Sequence, residues 1–111
     1  MGVVYPEPSK EAVNLRKNLV PDCFSKFKDF SKTVFSSGSI DEKTKHLIAI
    51  AVAHVTKCPY CIKSHTRMAK NLGASDQEIM EAIWVAVEMS AGASYAHSII
   101  ALQEIVDERK K

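Results

Sequence analysis

The chain is poor in the residues that interrupt helices and build turns, with four glycines and four prolines among 111 residues. Proteins made of short strands need such residues at most reversals of the chain, so their scarcity argues against an all-β fold. No strand-like alternation of apolar and polar residues persists, and apolar residues recur instead at three- and four-residue spacing. The sequence therefore predicts an all-α protein.

Long hydrophobic runs are also absent. The longest purely apolar stretch is the seven residues from Leu47 to Ala53, whereas a membrane-spanning helix needs about twenty. The first residues show no charged start followed by an apolar segment, so no secretory signal is expected.

The charges are nearly balanced, with 15 lysine and arginine residues against 13 aspartate and glutamate residues, which gives no basis for nucleic-acid or membrane binding. We expect a cytoplasmic protein.

The length and composition fit one small helical domain over residues 1–111, a compact bundle of five or six helices. Ser9 is predicted to cap a first helix that Pro21 ends, and Asp22 to cap the second. Capping-box patterns at Ser39–Glu42 and Ser75–Glu78 predict two further helix starts.

Three features bear on packing and assembly. The small-residue stretch Ser90–Ser98 predicts either a break near Gly92 or a close approach of two helices. Cys23 lies beside an aromatic helix face and is expected in the core; this face is formed by Phe24, Phe27, Phe30 and Phe35. The apolar helices around Ile50 and Trp84 exceed what one small monomer can cover, so we expect a homo-oligomer.

The strongest functional signal is the pair Cys58 and Cys61 in Cys-Pro-Tyr-Cys, at the predicted N-terminus of a helix. Unpaired amides and the helix dipole stabilise a thiolate there. The two-residue spacing allows the sulfurs to form a disulfide, so that one cysteine attacks a substrate and the other resolves the product. His65, four residues after Cys61, shares its helix face and can exchange a proton with the thiol.

Other readings of this motif remain open. Because the motif follows a long helix, the βαβ context of thioredoxin-like proteins is missing and that fold is rejected. His54, Cys58, Cys61 and His65 could instead bind zinc in a structural or interaction module, although structural zinc sites usually take ligands from two separated segments. The cysteines could also be small buried hydrophobic residues.

Three segments resemble the carboxymuconolactone decarboxylase family, and more narrowly its alkylhydroperoxidase AhpD-like branch. They are Glu42–Ala53, Cys58–Lys70 and Gly73–Ile79, within a motif-bearing core of about residues 40–101. The resemblance implies an all-α fold that assembles as a trimer or hexamer. It also implies that a cysteine pair reduces peroxides without a metal or organic cofactor and that an external dithiol or redox protein restores the pair.

The resemblance assigns attack on peroxide to Cys61, resolution to Cys58 and the proton relay to His65. His46 stands where the family commonly has a glutamate, and Tyr60 where some members have a histidine. His46 can accept a proton but supplies no fixed negative charge. Glu42, one turn earlier on the same face, or His54 could complete the relay.

The identity of the attacking cysteine stays open, because the helix dipole favours Cys58 as the more acidic thiol whereas the resemblance favours Cys61. The expected function is that of a thiol-dependent peroxidase or disulfide oxidoreductase with an antioxidant role, acting on a hydroperoxide or a disulfide. The alternatives are the zinc module and a non-redox decarboxylase-like enzyme acting on a small lactone.

Overall fold

The computed structural model describes residues 5–111, which form five helices and contain no strand. The helices are α1 (Lys10–Leu19), α2 (Pro21–Phe35), α3 (Glu42–Thr56), α4 (Pro59–Asn71) and α5 (Asp76–Arg109). The all-α prediction and its helix number are confirmed. Residues 1–4, which belong to the segment considered for a secretory signal, lie outside the described residues.

Two predicted helix starts are confirmed by their hydrogen bonds. The Ser9 hydroxyl accepts a bond from the backbone N–H of Ala12 at 3.1 Å. At the start of α5, the Ser75 hydroxyl accepts from the N–H of Glu78 at 3.0 Å, and the Glu78 carboxylate accepts from the N–H of Ser75 at 2.9 Å. This reciprocal pair satisfies two of the amides that a helix N-terminus leaves free.

The other two predicted starts are each wrong by two residues. The N-cap of α2 is Val20, which makes no side-chain cap, and Pro21 takes the first helical position, so Asp22 lies inside the first turn. Proline suits that position because its fixed φ is already helical and it has no N–H to satisfy. In α3 the cap is Asp41 rather than Ser39, and its carboxylate accepts from the N–H of Thr44 at 3.1 Å.

Helix α3 lies at the centre and packs mainly against α4 and α5. The core consists of Ile50, Ala69 and Ala74, with Leu47, Ile79 and Ile83 packed against it. A tight connection turns the chain from α3 into α4, in which Lys57 adopts a left-handed conformation (φ 61°) and the N–H of Cys58 donates to the carbonyl of Ala53 at 3.0 Å. This turn lays α4 alongside α3.

Helix α5 is one continuous helix of 34 residues, so the break expected near Gly92 does not occur. A close helix approach is not found either, because a Cβ at Gly92 would meet only the side chain of Glu88 on the same helix. Residues 93–111 are all exposed, and the radius of gyration is 19.7 Å, against about 13 Å for a compact domain of this length. One chain therefore leaves much of α5 uncovered.

Cys23 is exposed on α2, so its expected place in the core is wrong for the single chain. The aromatic face predicted on α2 is only partly covered, since Phe27 and Phe30 are 67% and 64% exposed. Among residues 5–111, no helix is both long enough and apolar enough to cross a membrane.

Candidate functional site

The two cysteines of the motif form a disulfide at the start of α4, with their Cα atoms 5.3 Å apart. Cys58 is the N-cap of this helix, and its sulfur accepts a hydrogen bond from the backbone N–H of Cys61 at 3.3 Å. The sulfur therefore takes the place that a serine or aspartate oxygen holds in other caps. On reduction, a thiolate at Cys58 would be stabilised by this N–H and by the helix dipole.

His65, one turn after Cys61, contacts a histidine of the neighbouring helix. Its Nδ1 atom lies 2.9 Å from Nδ1 of His46 on α3, and His46 is only 3% exposed. At this distance one nitrogen carries a hydrogen and the other accepts it. Burial, together with the nearby His46, holds the pKa of His65 below its usual value of 6.5, which favours the neutral form.

Phe35, the last residue of α2, covers this histidine pair. Its ring stacks on His46 with centroids 4.6 Å apart and planes 12° apart, and on His65 at 4.9 Å and 28°. The end of α2 is fixed by Lys45, whose Nζ donates to the carbonyls of Val34 at 2.8 Å and Ser36 at 2.6 Å. Sequence reasoning placed Phe35 only on an aromatic helix face, because no spacing signal links it across the loop to His46.

Glu42 lies one turn before His46, as predicted, but the two side chains are not hydrogen-bonded. Oε1 of Glu42 is 3.8 Å from Nε2 of His46, and this buried nitrogen has no hydrogen-bond partner within residues 5–111. His54 is directed elsewhere, because its Nδ1 contacts the carbonyl of Ile50 at 2.7 Å.

The arrangement required by the zinc alternative is not formed. Nowhere in the described part of the chain do three or more histidine, cysteine, aspartate or glutamate side chains come together in a group that could hold a metal ion. His54, Cys58, Cys61 and His65 are therefore not arranged as a ligand set, and two of them are joined in the disulfide.

Cys61 and His65 both line a cavity of about 550 Å³ between the end of α2 and the face of α3. Its other lining residues are mostly apolar and include Val34, Phe35, Ile48, Ala49 and Val52. Cys58 is not among them. The cavity is thus lined by one cysteine of the motif and by the histidine one turn after it.

A second cavity of about 900 Å³ is also lined by Cys61. Tyr60 lies here, where its hydroxyl donates to the carbonyl of Pro6 at 3.0 Å and its ring meets the edge of Tyr5 at a centroid distance of 6.0 Å. The chain ahead of α1 therefore passes over the start of α4. Cys61 is accessible from both cavities.

The chain resembles known proteins over most of its length. The model of the carboxymuconolactone decarboxylase family matches residues 21–104. Uncharacterized protein 4 in the cox locus of Paracoccus denitrificans is 56% identical over 82 residues, which cover 74% of this chain and 73% of that protein.

Solved structures of family members are similar as well. A carboxymuconolactone decarboxylase family protein from Legionella pneumophila matches with a TM-score of 0.67 and 32% identity over 84% of this chain and 82% of the other. A family protein from Thermotoga maritima, for which involvement in an antioxidative response has been suggested, matches with a TM-score of 0.58 and 28% identity over 80% and 94% of the two chains.

Proposed function

The chain belongs to the carboxymuconolactone decarboxylase family, and we propose that it is a thiol-dependent peroxidase or disulfide oxidoreductase of the AhpD-like kind, with an antioxidant role. The observation that carries the proposal is that Cys61 and His65 line one cavity while Cys61 is joined to Cys58 in a disulfide. A nucleophile, a base and a resolving thiol thereby lie within about two turns of helix.

The neighbouring charges favour one arrangement of protons in the histidine pair. The Glu42 carboxylate can only accept a hydrogen bond, so its position 3.8 Å from Nε2 of His46 favours a proton on that nitrogen. Nδ1 of His46 then accepts from Nδ1 of His65. Nε2 of His65 is left unprotonated, which makes His65 a base able to receive the proton of the Cys61 thiol.

In the proposed cycle, the Cys61 thiolate attacks a hydroperoxide and breaks its O–O bond. The terminal oxygen is transferred to sulfur as a sulfenic acid, and the alkoxide leaves as an alcohol with the proton held by His65. The Cys58 thiol then gives up its proton and attacks the sulfenic sulfur as a thiolate, the hydroxyl group takes up that proton and leaves as water, and the disulfide forms. An external dithiol or redox protein supplies two electrons and two protons to restore both thiols.

The geometry supports different tasks for the two cysteines. Cys58 has the stabilised capping position but faces neither cavity, which suits a resolving thiolate. Cys61 faces both cavities and has His65 on its own helix face, which suits the attacking thiol. The more acidic sulfur and the attacking sulfur need not be the same residue, so the helix dipole and the family resemblance do not conflict.

We extend the proposal to the assembly: the protein works as a homo-oligomer, a trimer or a hexamer, in which a second copy covers α5. The exposed apolar residues of its second half support this, namely Tyr95, Ile99, Ile100, Leu102 and Ile105. A single chain gains nothing from exposing so much apolar surface, and such patches commonly mark interfaces.

The proposed function is tested by the intact mass of fully reduced Cys23→Ser protein before and after one equivalent of cumene hydroperoxide. The substitution removes the exposed third thiol. We expect rapid loss of two hydrogens, abolished by Cys58→Ser and by Cys61→Ser. The Cys58→Ser protein should accumulate a sulfenic acid that dimedone traps, whereas Cys61→Ser should not react. An unchanged mass in the protein with both cysteines would refute the peroxidase proposal.

A further inference from the structure

We propose that the second cavity beside Cys61 binds the reductant, and that this reductant is a small thiol carrying one or more carboxylates. The inference rests on the proposed redox function, because it names the chemical class of thiol that reopens the Cys58–Cys61 disulfide. It concerns a different surface from the apolar cavity that His65 lines.

The second cavity has a strong excess of positive charge. Arg16, Lys28, Lys63 and Arg67 line it from three helices, and Glu7 is its one acidic lining residue. Within residues 5–111, Lys63 is the only one of these four cations that forms an ion pair, with Glu7 at 2.9 Å. A cleft lined by charges of one sign concentrates ligands of the opposite sign.

Glu7 shows how a carboxylate sits in this cavity. Its two oxygens accept from Nζ of Lys63 at 2.9 and 3.1 Å. The hydrogen bond and charge of Lys63, with a smaller contribution from Arg67, lower the pKa of Glu7. An incoming carboxylate can replace Glu7 on Lys63 and also use Arg67, which follows it by one helical turn and is well suited to binding carboxylates.

The two cavities that share Cys61 differ in charge. The cavity lined by His65 contains one cationic residue, Lys45, and its ammonium donates to backbone carbonyls at the end of α2. An anionic thiol is therefore attracted to the second cavity, which Lys63 and Arg67 line, rather than to the cavity that His65 lines. The volume of about 900 Å³ lies within the range of roughly 300–1,000 Å³ that is usual for small-molecule sites.

Because Cys61 lines the second cavity, a reductant bound there lies beside the disulfide. The thiolate of the reductant attacks the sulfur of Cys61, the S–S bond breaks, and its electron pair goes to Cys58 as a thiolate at the helix N-cap. A second reductant thiol attacks the mixed disulfide and releases Cys61 and the oxidised reductant. Two thiols thus lose two electrons, the enzyme disulfide gains them, and the two thiol protons pass to the two enzyme cysteines.

The test uses full-length Cys23→Ser protein oxidised beforehand with diamide, so that no hydroperoxide step is involved. Three thiols of matched size but different charge serve as probes: 3-mercaptopropionate, 2-mercaptoethanol and cysteamine. The rate constant for opening the protein disulfide is calculated from the thiolate concentration of each probe. It is then divided by the rate constant with which the same thiol opens a neutral small-molecule disulfide. We expect the normalised rate constant to be largest for mercaptopropionate, intermediate for mercaptoethanol and smallest for cysteamine. At low salt the largest and smallest should differ about tenfold.

Substitutions show whether this cavity is the source of the preference. Lys63→Gln and Arg67→Gln should each slow the mercaptopropionate reaction several-fold more than the mercaptoethanol reaction, because the mercaptopropionate thiolate carries two negative charges and the mercaptoethanol thiolate only one. Glu7→Gln should increase the mercaptopropionate rate, because it frees Lys63. Lys110→Gln, which removes the same charge at the end of α5, is the matched control and should change nothing.

Equal normalised rates for the three thiols, or a preference that Lys63→Gln and Arg67→Gln leave intact, would overturn the inference. Because oxidation by diamide bypasses the peroxide step, these outcomes are independent of whether cumene hydroperoxide oxidises the protein. Failure of the peroxide experiment alone would instead refute the proposed peroxidase activity.

Discussion

The Nδ1 atoms of His46 and His65 lie 2.9 Å apart, so a hydrogen bond joins α3 to α4 one helical turn after Cys61. Each ring fixes the orientation of the other, and Phe35 stacks on both. In the proposed relay, His46 thus holds the orientation of His65, at the position where the family resemblance leads us to expect a glutamate.

Substitution of His46 by glutamine should slow the oxidation of Cys61 by hydroperoxide roughly 10- to 100-fold, less than the 10²–10⁴-fold that a direct general base contributes. The reason is that His65 loses the partner that sets its tautomer. Stopped-flow measurement of disulfide formation under single-turnover conditions gives this rate. His97→Gln is the control, because His97 is exposed on α5 and hydrogen-bonds to the carbonyl of Ala93 on its own helix. Equal rates for the two variants would contradict a role for His46.

The pH dependence of stability should reveal the lowered pKa of His65. Burial and the charge of His46 disfavour its protonated form in the folded protein, so the unfolded chain binds more protons just below pH 6.5. The free energy of unfolding should therefore be highest above pH 6.5 and should fall as the pH drops below it. Urea titrations at several pH values across this range should show that the free energy of unfolding changes less steeply with pH in His65→Gln. A slope identical to that of the unsubstituted protein would contradict the assignment.

NMR titration of His65 gives a second check on the same group. Its midpoint should lie below 6.5 and should move part of the way back towards 6.5 in His46→Gln. The return is only partial because burial is the larger of the two causes. A midpoint that does not respond to the substitution would show that the histidines are uncoupled.

Most of the fold and part of the site could be predicted from the sequence. Local signals are strong where a side chain acts within one turn, as in the Ser75–Glu78 capping box or the spacing of Cys61 and His65. Contacts made by tertiary packing leave no such signal, so the place of Phe35 over the histidines was missed. The break expected near Gly92 was wrong, because small residues are also compatible with the uninterrupted hydrogen bonding of α5.

Phe35 is predicted to act as a positioning residue for the relay. Phe35→Leu removes the stacked ring but keeps an apolar side chain, so the fold should persist while the histidine pair loosens. We expect cysteine oxidation to slow several-fold and the NMR lines of His46 and His65 to broaden. Phe30→Leu on the same helix is the matched control, since Phe30 is 64% exposed. A change confined to thermal stability, with unaltered oxidation rate and histidine spectra, would reduce Phe35 to a packing role.

The uncovered face of α5 leads to a prediction about assembly. Sedimentation equilibrium should give a mass several times 12.3 kDa for the unsubstituted protein. Ile100 is 65% exposed in the single chain, and Ile100→Glu would place a charge inside an apolar interface, where desolvation makes it costly. This variant should shift the equilibrium towards smaller species. Lys110→Gln changes the net charge equally at the polar end of α5 and should leave the mass unchanged. A monomer in the unsubstituted protein would refute the proposed oligomer, whereas an intact oligomer with Ile100→Glu would place the interface on another face.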